Sequence, residues 1–368
     1  MAGLYVHIPF CVKKCDYCDF YSVPDRLNLF PVYVDAVAAE AKQYSDISFE
    51  TLYVGGGTPS LLGADGIRRL TASLKKTLDL SEVVEATTEA NPESAKSDFF
   101  SAAKNAGINR VSIGIQSLSD AELRSVGRIH TAKQAVEALS KARRAGFPEI
   151  SCDIIVGLPE QDFRSLATTL ETVVGAGVAH VSMYCLSLED GTPLAANPPG
   201  NLPSEDMQAE LFERARDLLL KAGFVHYEVS NFALPGHECR HNLNYWRGGE
   251  YAGLGAGAAS HIRGQRFKNR GNLDAYIKDP LGQVVEVEEL NPKEKAGEEA
   301  ILRLRLLKEG LDINELSHRY EYTNIVGLRR RLESLASEGL LICDGSVFRI
   351  PSERALISNP ILARVIGD

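Results

Sequence analysis

Cys11, Cys15 and Cys18 are spaced Cys-x3-Cys-x2-Cys, directly after a short apolar segment, Leu4–Ile8. Three closely spaced thiolates can hold three corners of a cubane iron–sulfur cluster and leave the fourth iron without a protein ligand. An open iron accepts an exogenous ligand, as the open position of a catalytic zinc does. A fully ligated cluster would only carry electrons or hold structure. The spacing therefore points to chemistry at a metal. The alternatives are a zinc site with Asp16, Asp19 or His7 as fourth ligand, or a disulfide framework. The latter needs an oxidising compartment and leaves one cysteine over.

Other chemistry-bearing residues recur behind further apolar segments. Gly55-Gly56-Gly57-Thr58-Pro59 follows one of them, and a run without Cβ atoms lets backbone N–H and C=O groups approach a ligand. It is not a phosphate loop, because no Lys-Ser/Thr follows and no G-x-G-x-x-G is present. Glu89, Gln116 and Asp153 lie at similar places, with Arg128 just beyond. A carboxylate there can take ribose hydroxyls or an ammonium group, and Arg128 can grip a carboxylate at two points. Each residue alone serves equally well as a loop or cap residue. A last unusual run is His241-Asn242-Leu243-Asn244-Tyr245-Trp246, which holds the only tryptophan. Its imidazole can ligate a haem iron and its rings can stack on a porphyrin. A histidine beside Tyr and Trp is also an ordinary packed residue, and His237 and Cys239 stand nearby as rival ligands.

The elements that must position these groups alternate along residues 1–230. Apolar runs at Leu4–Ile8, Thr51–Val54, Val83–Thr88, Arg110–Ile115, Ser151–Val156 and His180–Leu186 read as strands. Amphipathic segments at Pro31–Tyr44, Ala64–Leu78, Ala95–Ala106, Ala132–Ala145 and Phe163–Gly175 read as helices. The alternation implies β-α units on a parallel sheet. Barrels and open sheets of this kind carry their sites at the C-terminal strand ends. Five strand ends here bear unusual residues, which would share one rim. After a proline-rich break, 197–200, a helix is expected at Glu205–Lys221. A less regular segment, Tyr227–Asn272, then leads to a charged boundary at Glu286–Glu299. The chain thus divides into 1–230, an extension 231–290 and a C-terminal region 291–368. That region reads as mainly helical with a hairpin near Leu341–Ile350, winged-helix-like.

With 44% hydrophobic and 24% charged residues, the composition is that of a globular protein. A net charge of −9 argues against bulk binding to nucleic acid or anionic lipid. The C-terminal region carries ten Lys and Arg against eleven Asp and Glu over 298–368, unlike a DNA-binding winged helix. No stretch approaches the roughly 20 apolar residues of a membrane span, and the N-terminus lacks a signal-peptide pattern. These features place the chain in a reducing cytosol, with Cys152, Cys185, Cys239 and Cys343 as buried thiols.

The cysteine motif with its Tyr-x-His-Ile-Pro-Phe lead-in resembles the radical S-adenosylmethionine (SAM) superfamily. Gly-Gly-Gly-Thr-Pro and Gly157-Leu158-Pro159 narrow the resemblance to the branch of the oxygen-independent coproporphyrinogen III dehydrogenase, HemN. Within it the chain is most similar to the HemW-like haem chaperones. The dehydrogenase has a fourth cysteine where Phe20 stands here, and an N-terminal extension, whereas Leu4 already reads as strand. The 241–246 run also matches the HNxxYW signature of the chaperones, whose histidine is linked with haem binding. The resemblance covers essentially the whole chain. It implies a partial (β/α)6 TIM-like barrel, α/β in class, with a helical C-terminal domain. It implies a [4Fe–4S] cluster on Cys11, Cys15 and Cys18, and SAM chelated to the open iron. Gly56, Gly57 and Thr58 would meet SAM's methionine end, with Arg128 on its carboxylate. Tyr5 and Tyr17 would flank cluster and cofactor, and Glu89, Gln116 and Asp153 would line the pocket. Cys185 and Ala259 fall where the dehydrogenase has further SAM contacts. Haem near His241 would be cargo for haem-acceptor proteins, membrane-associated ones among them, carried by a cytoplasmic protein that can reach the membrane surface. A homodimer belongs to the same expectation. The dehydrogenase reaction, or a radical SAM reaction on another substrate, stands as the enzymatic alternative.

Overall fold

The computed structural model describes residues 2–366, with side-chain surroundings for all of these but 322–324. Six parallel strands follow one another across the sheet: β1 (Ala2–Ile8), β2 (Phe49–Gly56), β3 (Glu85–Ala90), β4 (Arg110–Gln116), β5 (Glu149–Val156) and β6 (His180–Cys185). Between them run α1 (Phe30–Ala41), α2 (Gly63–Thr77), α3 (Ser97–Asn105), α4 (Ala132–Arg144) and α5 (Phe163–Gly175). The expected elements are all present, with ends displaced by a few residues. Helix starts follow local chemistry. Thr131 and Gln134 form a reciprocal capping box on α4, and Asp162 caps α5 through the Ser165 N–H.

Each strand buries two unlike faces, because side chains alternate along it. Leu4, Val6 and Ile8, Leu52 and Val54, Val111, Ile113 and Ile115 join the apolar cluster under the helices, all at most 4% exposed. The opposite positions are polar: Tyr53 and Glu89, Ser112 and Asp153, Arg110 and Glu85 hydrogen-bond across the inner face. A filled TIM barrel has apolar layers inside, so this polar inner face marks a lumen built to hold something.

The segment 227–272, read as irregular, is largely ordered. Its strands are short, which hides their periodicity. After α6 (Glu205–Lys221), β7 (Val225–Glu228) and β8 (Asn231–Ala233) pair antiparallel beyond β6. At the other edge β9 (Tyr251–Leu254) lies parallel to β1. β10 (Ala259–Ile262), β11 (Gln265–Asn269) and β12 (Val284–Glu288) then extend the sheet to 12 strands. Between these strand groups stands a short helix, α7 (Arg240–Trp246).

A second apolar cluster belongs to the C-terminal residues. It gathers α8 (Pro292–Leu304), α9 (Ile313–Arg319), α10 (Tyr322–Ser337) and α11 (Ser358–Ile366) around Leu304, Leu332, Phe348 and Leu362. Asn291 caps α8 in a second capping box, with Pro292 at the first helical position. The hairpin expected near 341–350 is formed by Ile342–Asp344 and Val347–Arg349. Of the four scattered cysteines, Cys152 and Cys239 are buried as expected. Cys185 is half-buried, and Cys343 is exposed in the hairpin, because that strand packs no inward face.

Candidate cofactor site

A cavity of about 440 Å³ opens at the C-terminal ends of β1–β6, within the size range of small-molecule sites. Twelve of the fifteen residues singled out from the sequence line it: Cys11, Cys15, Tyr17, Cys18, Gly56, Gly57, Thr58, Glu89, Gln116, Arg128, Asp153 and Cys185. Residues from six strands, or from the loops that follow them, therefore converge on one site, though the Gly157-Leu158-Pro159 run after β5 does not line it.

The cysteine loop and the glycine loop are stitched together by main chain. Gly57 N–H donates to Ile8 O at 2.8 Å and Thr58 N–H to Phe10 O at 2.8 Å. The Thr58 hydroxyl shares a hydrogen bond with Cys11 Sγ at 3.5 Å. Glycine is required at two places. Gly56 has φ +112°, and a Cβ there would strike the His7 ring at 2.6 Å. A Cβ on Gly57 would sit 2.7 Å from Phe10 O and 3.0 Å from Cys11 Sγ, inside contact distance. Asp16 N–H donates to Val126 O and Cys18 N–H to Cys15 O, both at 3.1 Å, which fixes the rest of the loop.

Among the described residues no three His, Cys, Asp or Glu side chains converge on a single-ion site. The three thiols line a cavity with room for a polynuclear cluster. The zinc alternative also loses His7, whose Nδ1 meets the Tyr5 hydroxyl at 2.9 Å and whose Nε2 meets Tyr21 O at 2.8 Å. Burial raises the Cys11 and Cys18 thiols above their ordinary range. Metal ligation must therefore displace their protons.

Arg128 is 9% exposed. Its Nη2 donates to Gly114 O at 2.7 Å and to Asn91 Oδ1 at 3.0 Å, while Nη1 lies 3.6 Å from Cys15 Sγ. Among the described residues its buried Nε has no partner. An unpaired buried N–H is costly, and here it belongs to a guanidinium lining the cavity, where an anionic ligand would satisfy it. Gln116 ends β4 with φ +63°, a left-handed conformation uncommon for a residue with a side chain. Two carboxyls share the opposite wall. Glu89 accepts from the Tyr53 hydroxyl at 2.9 Å and Gly56 N–H at 3.0 Å. Burial, reinforced by the charge on Asp153, raises it to about 7. Burial likewise raises Asp153 to about 6, against hydrogen bonds from Ser112 and Ser182. Burial lifts the Cys185 thiol to about 11.

Three sequence expectations fail to reach the cavity. Tyr5 donates into His7 and packs on Tyr53, lower in the lumen. Ala259 lies exposed in β10, on the sheet extension beyond β1. His241 is 1% exposed, and both ring nitrogens are engaged: Nδ1 with the Thr51 hydroxyl and Nε2 with the Tyr245 hydroxyl, each at 2.8 Å. Its ring stacks on Tyr53 at 5.1 Å, and burial drives its pKa to about 3. In this conformation it offers no nitrogen to an iron.

α7, which carries His241, packs under the lumen. The Glu85 carboxylate receives the N–H groups of Arg240 and His241 at 3.1 and 3.0 Å, favourable at a helix N-terminus. Arg110, 2% exposed, pairs with Glu85 at 3.4 Å and donates to His237 O at 2.7 Å. The signature run reaches the cavity through Asn242. Asn242 from the signature run and Asn91 beside Glu89 also line the cavity, as do Tyr53, Ser182 and Tyr184, which no sequence motif marks. For Tyr53, Ser182 and Tyr184 the available signal was polar alternation within the strands.

A model of the radical SAM superfamily matches residues 5–173. The haem chaperone HemW of Lactococcus lactis subsp. lactis is 33% identical, over 99% of this chain and 97% of that protein. HemW of Mycobacterium tuberculosis is 35% identical, over 99% and 95%. HemW of Bacillus subtilis is 30% identical over the full length of both. The solved structure of coproporphyrinogen III oxidase (HemN) from Escherichia coli superposes with a TM-score of 0.87 at 23% identity, over 100% of this chain and 90% of that one. That likeness shows the shared fold. Sequence similarity along its whole length shows that the chain belongs to the HemW family of haem chaperones, within the radical SAM superfamily.

Proposed function

We propose that the protein is a haem chaperone that keeps a [4Fe–4S] cluster on Cys11, Cys15 and Cys18, binds SAM in the adjoining cavity and delivers haem to acceptor proteins. The observation that carries the cofactor half is the convergence of the three thiols, the stitched glycine loop and the half-satisfied Arg128 guanidinium on one cavity. Full-length similarity to proteins named haem chaperones supports the cargo. When bound, the cluster supplies an open iron for chelation and an electron for reductive cleavage of SAM. The protein's own part is positional. Arg128 holds the carboxylate, backbone groups at Gly56 and Gly57 approach the methionine end, and Glu89 and Asp153 take hydroxyl and ammonium donors. Among the described residues no helix is long and apolar enough to cross a membrane.

The test is a transfer assay. The cluster-loaded chain is charged with haem anaerobically and mixed with an apo haem protein, and the Soret band of the acceptor is followed. Transfer faster than from free haem supports the reading. Absence of saturable haem binding overturns it. Conversion of coproporphyrinogen III to protoporphyrinogen IX by the same preparation would favour the dehydrogenase.

The two raised carboxyls make SAM binding pH-dependent. Both keep their protons to higher pH folded than unfolded, so the empty protein loses stability as pH rises toward 7. A cationic ligand favours the ionised forms. SAM affinity is expected to rise as pH goes from 5.5 to 7.5 and then level, by at most about tenfold per pH unit for each carboxyl. Calorimetric titration of wild type and Glu89→Gln checks this. The substitution should flatten the profile, and a flat wild-type profile would remove both carboxyls from the binding step.

A further inference from the structure

Asn91 stands directly after β3 and lines the cavity. Its main chain is held on both sides. Its N–H donates to Ser60 Oγ at 3.0 Å, and its carbonyl accepts the N–H groups of Ser94 and Ala95 at 3.1 and 2.9 Å. Gly114, within β4, leaves room for the side-chain amide, since a Cβ there would lie 2.8 Å from Asn91 Oδ1. A glycine inside a strand often marks such a close approach.

The amide joins two residues that reach two different cysteines. Oδ1 accepts from Arg128 Nη2 at 3.0 Å, and Nδ2 donates to Thr58 Oγ1 at 3.1 Å. A guanidinium only donates, so the amide must turn its oxygen to Arg128 and its nitrogen to Thr58. The Thr58 oxygen thus serves as an acceptor, and its hydroxyl proton is left for Cys11 Sγ, 3.5 Å away. A thiolate only accepts, which fixes the same direction. At the other end Arg128 Nη1 lies 3.6 Å from Cys15 Sγ. Cys11, Thr58, Asn91, Arg128 and Cys15 form one hydrogen-bonded arc. Thr58 is 2% and Arg128 9% exposed, so little water competes for these donors.

We propose that Asn91 is a positioning residue that aims one neutral and one cationic donor at two cluster thiolates and so raises the reduction potential of the cluster. The inference rests on the cluster reading and adds a control on that same site. Reduction adds negative charge to the cluster, and hydrogen bonds to its sulfurs favour the more negative state. Without the Asn91 amide the Thr58 hydroxyl is free to rotate away from Cys11. Arg128 keeps Gly114 O at 2.7 Å but loses the partner that sets the angle of its Nη2.

Full-length wild type, Asn91→Leu, Thr58→Val and Thr58→Ser are reconstituted anaerobically, and iron and sulfide are counted. Loading is expected to be equal. The midpoint potential is then read by electron paramagnetic resonance during a reductive titration. Asn91→Leu keeps the volume and removes both contacts. At the wild-type midpoint its ratio of reduced to oxidised cluster should fall about tenfold, or about 59 mV for one electron. Thr58→Val should move the same way by less, and Thr58→Ser, which keeps the hydroxyl, should not move. Adding Asn91→Leu to Thr58→Val should shift the potential less than Asn91→Leu does alone, because part of its effect runs through that hydroxyl. An unchanged potential in loaded Asn91→Leu, or additive shifts, overturns the inference and leaves the cluster reading standing. Should Asn91→Leu fail to load, equal potentials in the two Thr58 variants overturn it. Wild type that takes up no iron and sulfide overturns the cluster reading and the inference together.

Discussion

Replacing Cys15 with alanine is expected to abolish iron and sulfide uptake on anaerobic reconstitution, from about four irons per chain to none. Two thiolates cannot retain a cubane that already has one iron without a protein ligand. The substitution removes no core packing, because Cys15 lines the cavity and is only partly buried. Far-ultraviolet circular dichroism should therefore match wild type. Cys343→Ala is the control, since that thiol lies exposed in the C-terminal hairpin. Iron and acid-labile sulfide analysis reads the result directly. A Cys15→Ala protein that still loads a full complement would remove this residue from the ligand set. Because SAM's amine and carboxylate would chelate the open iron, the same substitution should also cost SAM affinity.

Arg110→Met should lower stability by about 3–5 kcal/mol. Arg110 and Glu85 are 2% and 7% exposed, so removing the cation leaves a carboxylate with little access to water. Glu85 keeps the two N–H groups of α7, but loses its countercharge, and His237 O loses its donor. Methionine fills much of the same volume, which separates the electrostatic loss from a cavity effect. Urea unfolding of the two proteins measures the difference from the midpoints at equal slope. A difference below about 1 kcal/mol would mean that water or a rearranged partner compensates Glu85.

Much of the candidate site was legible because its signals are local. Cysteine spacing, a glycine run after a strand and polar residues at strand ends all report backbone demands that neighbouring residues meet. The six strands and five helices declared themselves through apolar periodicity. What escaped depends on residues far apart in sequence. Glu85, Arg110 and Glu149 each begin a strand, where a charge reads as ordinary solvent contact. Only closure of the sheet brings them together under the lumen. His241 looked available beside Tyr and Trp. Tyr245 and Tyr53, with Thr51 from β2, are instead what encloses it. Ala259 was carried over by analogy and lies on a sheet extension whose short strands gave no periodic signal. Tyr53, Ser182 and Tyr184 could have been found from polar residues at alternate strand positions. A parallel strand covered on both sides is usually apolar throughout, so such alternation advertises a lumen.

Arg110 grips the carbonyl of His237 with one nitrogen and, with the other, the carboxylate that anchors the helix bearing Asn242. Surface turn and cavity floor are therefore mechanically joined. A ligand that pulls on the turn also loads the floor of the cavity, and a ligand that braces the floor steadies the turn. Binding equilibria obey reciprocity: whatever factor a ligand at the turn applies to affinity in the cavity, a ligand in the cavity applies to affinity at the turn. The filling of one site then becomes a way of setting how firmly the other holds its load.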